Sequence, residues 1–526
     1  MKIFGKKFAT AALIAAVAVM AVGCGGGDKK EAAKPKNELL KVGCTNFANS
    51  LDPVENYFGW EVMRRAIGEC LTKFDEKMVT RPWLAESWKV ADDKLSWTFT
   101  VKNVKFQNGK AVTGEAVKKS LDRVFAKSPR ARALFTPTKI TAEGQNVTIY
   151  TDVPVATMPG ILGDPLFIII DTDEEGKRDF ATQGPIATGP YMVTSYSKQK
   201  TEMVASEHYW DGKVPYKKVD FLTIDDPNTR AMALQKGEID VAVNIASGDM
   251  DLFKDPKKFT ISTIESIRDV LARINQAPGR PLADVKVRQA LIRCLNREEY
   301  CKTLLKGTFT PGGPMFPPSL DFDFANTKDP NAYDVESAKK LLAEAGYKDT
   351  DGDGFVDKDG KNLELDFVFY SGRAELPLFA EATQADAKQI GIKVNLKNVD
   401  YNILYDIGCN GTYDLLISNI LTLQGGDPEV FLNMYWHSND GGKFPENGSG
   451  YSSKEFDDLS AELAKEFDAG KRRDIAIKMG RILLNDSATF VFGYPQTNMV
   501  SNVKVKNANI QPCDYYWLTK DFTPAE

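Results

Sequence analysis

The chain has 526 residues, 43% of them hydrophobic and 26% charged, which excludes a disordered chain and leaves room for two or three domains. A net charge of −5 calls for neither nucleic acid nor a highly acidic ligand. The only two histidines, His208 and His437, stand outside any HExxH pattern, and GxSxG, GxGxxG and Walker patterns are absent. The expectation is therefore a protein that is not an enzyme and has no cofactor, with a secreted carboxylate-based hydrolase as the remote alternative.

The N-terminus reads as an export signal. Lys2, Lys6 and Lys7 precede an apolar run over 8–22, short for a membrane-spanning helix and the right size for a signal-peptide core. The run ends at Ala21-Val22-Gly23-Cys24, which is similar to a lipobox, in which the cysteine is lipidated and becomes the new N-terminus. An ordinary signal peptide with a chance cysteine is the other reading. Residues 25–38, GGGDKKEAAKPKNE, hold no apolar cluster and read as a flexible tether. Lipid and tether together describe a protein anchored to a membrane without spanning it.

Beyond the tether the elements alternate. Leu39 to Asn46 is a candidate strand. Trp97, Phe99 and Val101 alternate with Thr98, Thr100 and Lys102 at the period of a half-buried strand. Asn108-Gly109 suits a tight turn, and Thr113 is placed to cap a helix with Val117, Leu121 and Val124 on one face. Val219 to Ile224, a helix starting at Pro227, and GEIDVAV at 237–243 read as strand, helix, strand, which predicts a mixed or parallel sheet. Val270 to Asn275 is a further strand. Asp284 is placed as the cap of a helix carrying Val287, Leu291 and Leu295 and closed by Gly307, and Asp334 as the cap of another with Ala338, Leu341, Leu342 and Ala345 inward. Cys294 and Cys301, seven residues apart on the expected helix, would lie about 10 Å apart along its axis, too far for a mutual disulfide. Most cysteines other than Cys24 are expected to be small buried side chains.

The order PWLA.SW, WTF, VKF.NG and capped helix from Pro82 to Phe125 resembles the extracytoplasmic solute-binding proteins of peptide and nickel ABC importers, called family 5. ATGPY at 187–191, HYWDG at 208–212 and the two helices capped by Asp284 and Asp334 are similar to further landmarks of that family. The resemblance implies an α/β, two-lobed fold of the periplasmic-binding-protein type, cluster C, with mixed sheets and a ligand cleft between the lobes. The first lobe is then expected from 39–57, 184–272 and 486–526, a small subdomain from 58–183, and the second lobe from 273–485. It also implies a small-molecule ligand, an ABC permease and ATPase as partners, and a monomer at the outer face of the membrane or in the periplasm, with no nucleic acid bound.

Candidate site residues fall into clusters. Arg130, Arg132 and Phe135 lie just after the capped helix. Forked guanidinium donors suit planar carboxylates, and the segment resembles the RxRxxW stretch with which nickel-binding members hold a chelate's carboxylates. Gln424 to His437 is a Gly/Pro-marked loop running into aromatics, with Gln424, Asp427, Tyr435, Trp436 and His437 as candidates. Peptide-binding relatives place an aspartate at the position of Gln424 to hold a free amino group, and nickel-type members carry a metal-reaching histidine near His437. Trp60 and Arg64 belong to a GWxxxR…GE segment similar to the nickel and opine-metallophore subgroup, as is DPLF..ID at 164–171. The expected cargo is nickel or a metal–metallophore chelate, with di- or oligopeptides as the alternative. A surface chaperone or adhesin is a reading of another class. Finally, Asp349, Asp351, Asp353 and Asp357 stand at positions 1, 3, 5 and 9 of a loop like that of an EF-hand, though Gly360 replaces the twelfth-position glutamate. Calcium binding or a plain polar loop are the two readings.

Overall fold

A computed structural model describes residues 38–439, 442 and 444–525. The export signal, Cys24 and nearly all of the tether lie outside the described residues. No helix among the described residues is long and apolar enough to cross a membrane.

The strand Leu39–Cys44 pairs in parallel with Lys218–Thr223 on one side and Val241–Val243 on the other, with helix Pro227–Lys236 between the latter two in sequence. That is the expected strand–helix–strand unit. Asp226 caps its helix by accepting from the Thr229 N–H, and Pro227 needs no partner for an N–H it lacks. Tyr191–Tyr196 and Lys200–Ala205 extend this sheet antiparallel. In the second lobe Glu364–Phe369 runs parallel to Lys393–Asn398 and to Leu415–Leu421, and Arg268–Ile274 closes on the latter antiparallel.

One long strand, Thr489–Asn502, belongs to both sheets. Thr489 to Gly493 pair with Val270 to Arg273, whereas Gln496 to Asn502 pair with Phe259–Glu265. Pairing thus changes lobe at Ser266-Ile267 and near Tyr494-Pro495, before the expected 272/273 boundary and after the expected 485/486 one. The reason is that Arg268–Ile274 is already buried along its length inside the second sheet.

The subdomain is a four-stranded antiparallel sheet, Ala85–Val90, Ser96–Val101, Asn146–Tyr150 and Lys139–Glu143, with helix Gly114–Lys127 packed on it. Trp97, Phe99 and Val101 point into its core as the alternation predicts, and Thr113 accepts from the Ala116 N–H. Gly109 closes the turn with φ +85°, a conformation that favours glycine.

The helix expected from Asp284 to Gly307 is broken. It ends at Cys294, Leu295 turns extended, and Asn296 caps a fresh segment by accepting from the Glu299 N–H. An asparagine that can satisfy a free helix N–H makes the restart as favourable as continuation. All six described cysteines are free, and only Cys409 is more than slightly exposed.

Candidate ligand-binding site

Asp164 is the hub where the lobes meet. It caps the turn Pro165–Phe167, accepting from the Leu166 N–H at 2.9 Å, and is 1% exposed. Arg130 reaches it from the helix Pro129–Leu134 through Nη2, at 2.8 and 2.9 Å to the two carboxylate oxygens. Gln424 of the second lobe donates to the same carboxylate at 3.2 Å, and the Tyr515 hydroxyl from the C-terminal segment at 3.4 Å. The Arg130 guanidinium lies over the Tyr57 ring at 4.4 Å. Its Nε and Nη1 are buried and have no hydrogen-bond partner.

Beside this hub, Trp60 packs edge-on against Tyr57 and Tyr515, and its ring faces Arg64 and Arg268 at 5.4 and 5.5 Å. The Trp60 indole N–H is buried and unpartnered, as is Nε of Arg268. Arg64 is fully engaged, donating to Glu61, to the Asp514 carbonyl and to the Asp514 carboxylate. Burial works against ionisation of Asp514, but Arg268, Arg64 and Arg373 more than reverse it and hold the carboxyl well below the usual carboxylate range. Arg373, at the turn before helix Glu375–Gln389, acts on Asp514 electrostatically, and its side chain forms no hydrogen bond or ion pair among the described residues.

The outer rim is aromatic. Tyr57, Tyr401 and Tyr405 are exposed by 37%, 54% and 56%, Tyr401 stacks edge-on with Tyr370 at 5.3 Å, and Tyr435 lies under Arg273 at 4.6 Å. A region with surplus guanidinium and indole donors, walled by tyrosines, is suited to carboxylates on a flat or apolar frame.

The structure gathers Trp60, Arg64, Arg130, Gln424 and Tyr435 and places the other candidates elsewhere. Arg132 is exposed and turns back to the carbonyls of Phe125 and Ala126 at the end of the preceding helix, where a cation complements the helix dipole. Phe135 packs with Phe125 and Phe167 in the subdomain core. Asp427 is clamped by Arg472 at 2.8 Å through both oxygens, and Trp436 is 1% exposed within the second-lobe core. His437 stacks on Phe444, with Nδ1 2.9 Å from the Ser438 carbonyl and 3.6 Å from Asp457. Carboxylate oxygens of Asp349, Asp351 and Asp353 converge within 4.8 Å, but Asp357 is buried and committed to the Thr350 N–H and hydroxyl. The expected four-aspartate set is thus three exposed carboxylates. Arg268, Arg373, Tyr57, Tyr401 and Tyr515 escaped the sequence reading, since no local pattern distinguishes them from core or surface residues.

Residues 79–443 match the family described as bacterial extracellular solute-binding proteins, family 5 Middle. The nickel-binding protein NikA of Staphylococcus aureus is 26% identical over 456 residues, 86% of this chain and 87% of that protein. The probable D,D-dipeptide-binding periplasmic protein DdpA of Escherichia coli is 26% identical over 441 residues, 82% of each. Among solved structures, NikA from Staphylococcus aureus in complex with Ni(L-His)2 superposes with a TM-score of 0.79 at 24% identity, covering 93% of this chain and all of that one.

Proposed function

Since the chain belongs to the bacterial extracellular solute-binding proteins of family 5, transport proteins rather than enzymes, we propose that its cargo is a metal chelate held by carboxylates between the lobes. One observation carries this reading: buried donors of Arg130 and Trp60 lie beside Arg268 and have no acceptor among the described residues. Leaving such donors unmade is costly, so an acceptor supplied by the ligand accounts for them. The similarity to nickel-binding NikA favours a chelate of nickel type. The similarity to DdpA over 82% of the chain keeps short peptides as the second reading. The cargo then passes to a membrane permease driven by an ATPase.

Native mass spectrometry with metal analysis, on protein purified from its own cells, tests the cargo. A co-purified metal complex supports the first reading; di- to pentapeptides without metal replace it by the second. Lipidation of Cys24 and a monomeric state belong to the same proposal. Cys24→Ala is expected to release the protein from the membrane fraction, because the acyl chains would be its only attachment, and a mutant that stays in that fraction counts against the lipobox.

A further inference from the structure

The lobes also meet at a second place, which shares no hydrogen bond or ring contact with the Asp164 hub among the described residues. Phe467 lies in the short loop between helices Lys454–Leu463 and Ala469–Asn485 of the second lobe, yet it packs against the core of the subdomain and not against that of its own lobe. Its ring stacks on Trp97 at a centroid distance of 6.3 Å and an interplanar angle of 17°, and Lys94 Nζ lies over it at 4.7 Å. Trp97 is held in place by its indole N–H, which donates to the Val155 carbonyl at 3.0 Å. An offset aromatic stack and a cation over a ring are both favourable, and here each joins the two lobes.

Each side of this contact is tied to its lobe. The subdomain is fastened to the first lobe by Arg123, which donates to both Asp52 oxygens at 3.0 and 2.6 Å, and by Gln107, which donates to the carbonyls of Gly189 and Tyr191 at 3.1 and 2.7 Å. On the other side the buried Arg472 donates through Nη1 to the carbonyls of Leu463 and Glu466, just before Phe467, and through Nε and Nη2 to Asp427. One guanidinium thus joins the loop of Phe467 to the loop that carries Gln424 and Gly425 to the first lobe. The stack and the hub form and break with the same relative movement of the lobes.

We propose that Phe467 is a closure latch, a positioning residue that raises cargo affinity by packing on Trp97 and Lys94 while the lobes are together. This rests on the reading above that cargo is held between the lobes. A ligand that favours the closed state gains from whatever else stabilises that state, so the latch acts on every cargo by the same factor.

Calorimetry and solution scattering with two probes, nickel in excess L-histidine and trialanine, test it on the wild type, Phe467→Ala, Phe467→Tyr, Trp97→Leu, the Phe467→Ala/Trp97→Leu double variant and Arg130→Ala. Phe467→Ala is expected to bind whichever probe the wild type binds about tenfold more weakly, the scale of one buried aromatic pair, and to compact at correspondingly higher probe concentration. Phe467→Tyr keeps the ring and should restore most of the affinity. In the Trp97→Leu background Phe467→Ala should cost little more, since the contact is already gone. Wild-type affinity in Phe467→Ala overturns the latch; with a loss in Arg130→Ala it leaves the cleft reading intact, and with none it overturns that reading too. An undiminished further loss in the double variant also overturns the latch, because Phe467 would then support its own loop alone. Should Trp97→Leu fail to fold, Lys94→Ala takes its place in the cycle. If the wild type binds neither probe, scattering of the cargo-free proteins decides: a larger radius in Phe467→Ala supports the latch, and an equal one overturns it.

Discussion

Two arginines two positions apart divide the work of one short helix. Arg130 faces the lobe junction with two free donors, while Arg132 caps the C-terminus of the helix before it. Arg130→Ala is therefore expected to weaken cargo binding by about 1.5–3 kcal/mol, the range for a hydrogen bond to a charged group. Arg130→Lys should restore only part, since lysine lacks the planar fork. Arg132→Ala should leave binding unchanged and lower stability by about 0.3–1 kcal/mol, and calorimetry with thermal melts separates the two. A second residue-scale effect comes from Glu69. Burial pushes its carboxyl up to about 7 against the hydrogen bonds of Trp210, Thr188 and Tyr209, which favour the charged form, while Asp211 adds to the rise. The folded state then holds this proton more tightly than the unfolded chain, so the group's stabilising share declines as pH rises from about 4.5 to about 7 and is flat above. The full span is on the order of 3 kcal/mol. Denaturant unfolding of the wild type and Glu69→Gln across pH 5 to 8 reads the difference; equal slopes in both proteins would discard this account.

At the scale of elements, sequence and structure agree wherever the cause is local. Thr113, Asp284 and Asp334 cap the helices assigned to them because each side chain needs only an N–H two or three residues on. Thr113→Ala is accordingly expected to cost about 0.5–2 kcal/mol in a denaturant melt with no change in cargo affinity. The break at Leu295 was hidden because Val287, Leu291 and Leu295 keep the helical period up to the last residue. The site was legible only in part for a different reason. Arg130, Gln424 and Tyr515 converge on Asp164 across separations of 34, 260 and 351 residues. No spacing rule operates over such distances. Arginine pairs and aromatic runs marked segments that adjoin the candidate site, but which member faces it depends on helix phase and on competing partners. Arg472 takes Asp427 into the second lobe, and Phe444 and Asp457 take His437. Family resemblance located the segments, while packing chose the residues.

Across the whole molecule the lobes share a 14-residue strand, Thr489–Asn502, and touch again at the cleft through two glycines. A Cβ at Gly160 would lie 2.0 Å from the Gly425 carbonyl oxygen, far inside contact distance, and a backbone oxygen cannot swing aside as a side chain could. Gly160 sits on the first-lobe turn Met158–Ile161 and Gly425 on the second-lobe loop after Leu415–Leu421, so the clash exists only while the lobes are together. Gly425→Ala would not isolate that contact, because its φ of +66° strains any side chain whether the lobes are closed or open. Gly160→Ala has no such defect: alanine suits a helical turn. The cargo-free variant should fold and melt like the wild type, whereas cargo affinity, the cargo-dependent rise in melting temperature and the compaction seen by solution scattering should all fall together. Binding stabilises by mass action only to the extent that the bound state remains accessible. Retained affinity with lost compaction would mean that the cargo is held by one lobe alone. Retained affinity and compaction together would mean that the loop carrying Gly425 yields, and that the two glycines set no limit on closure.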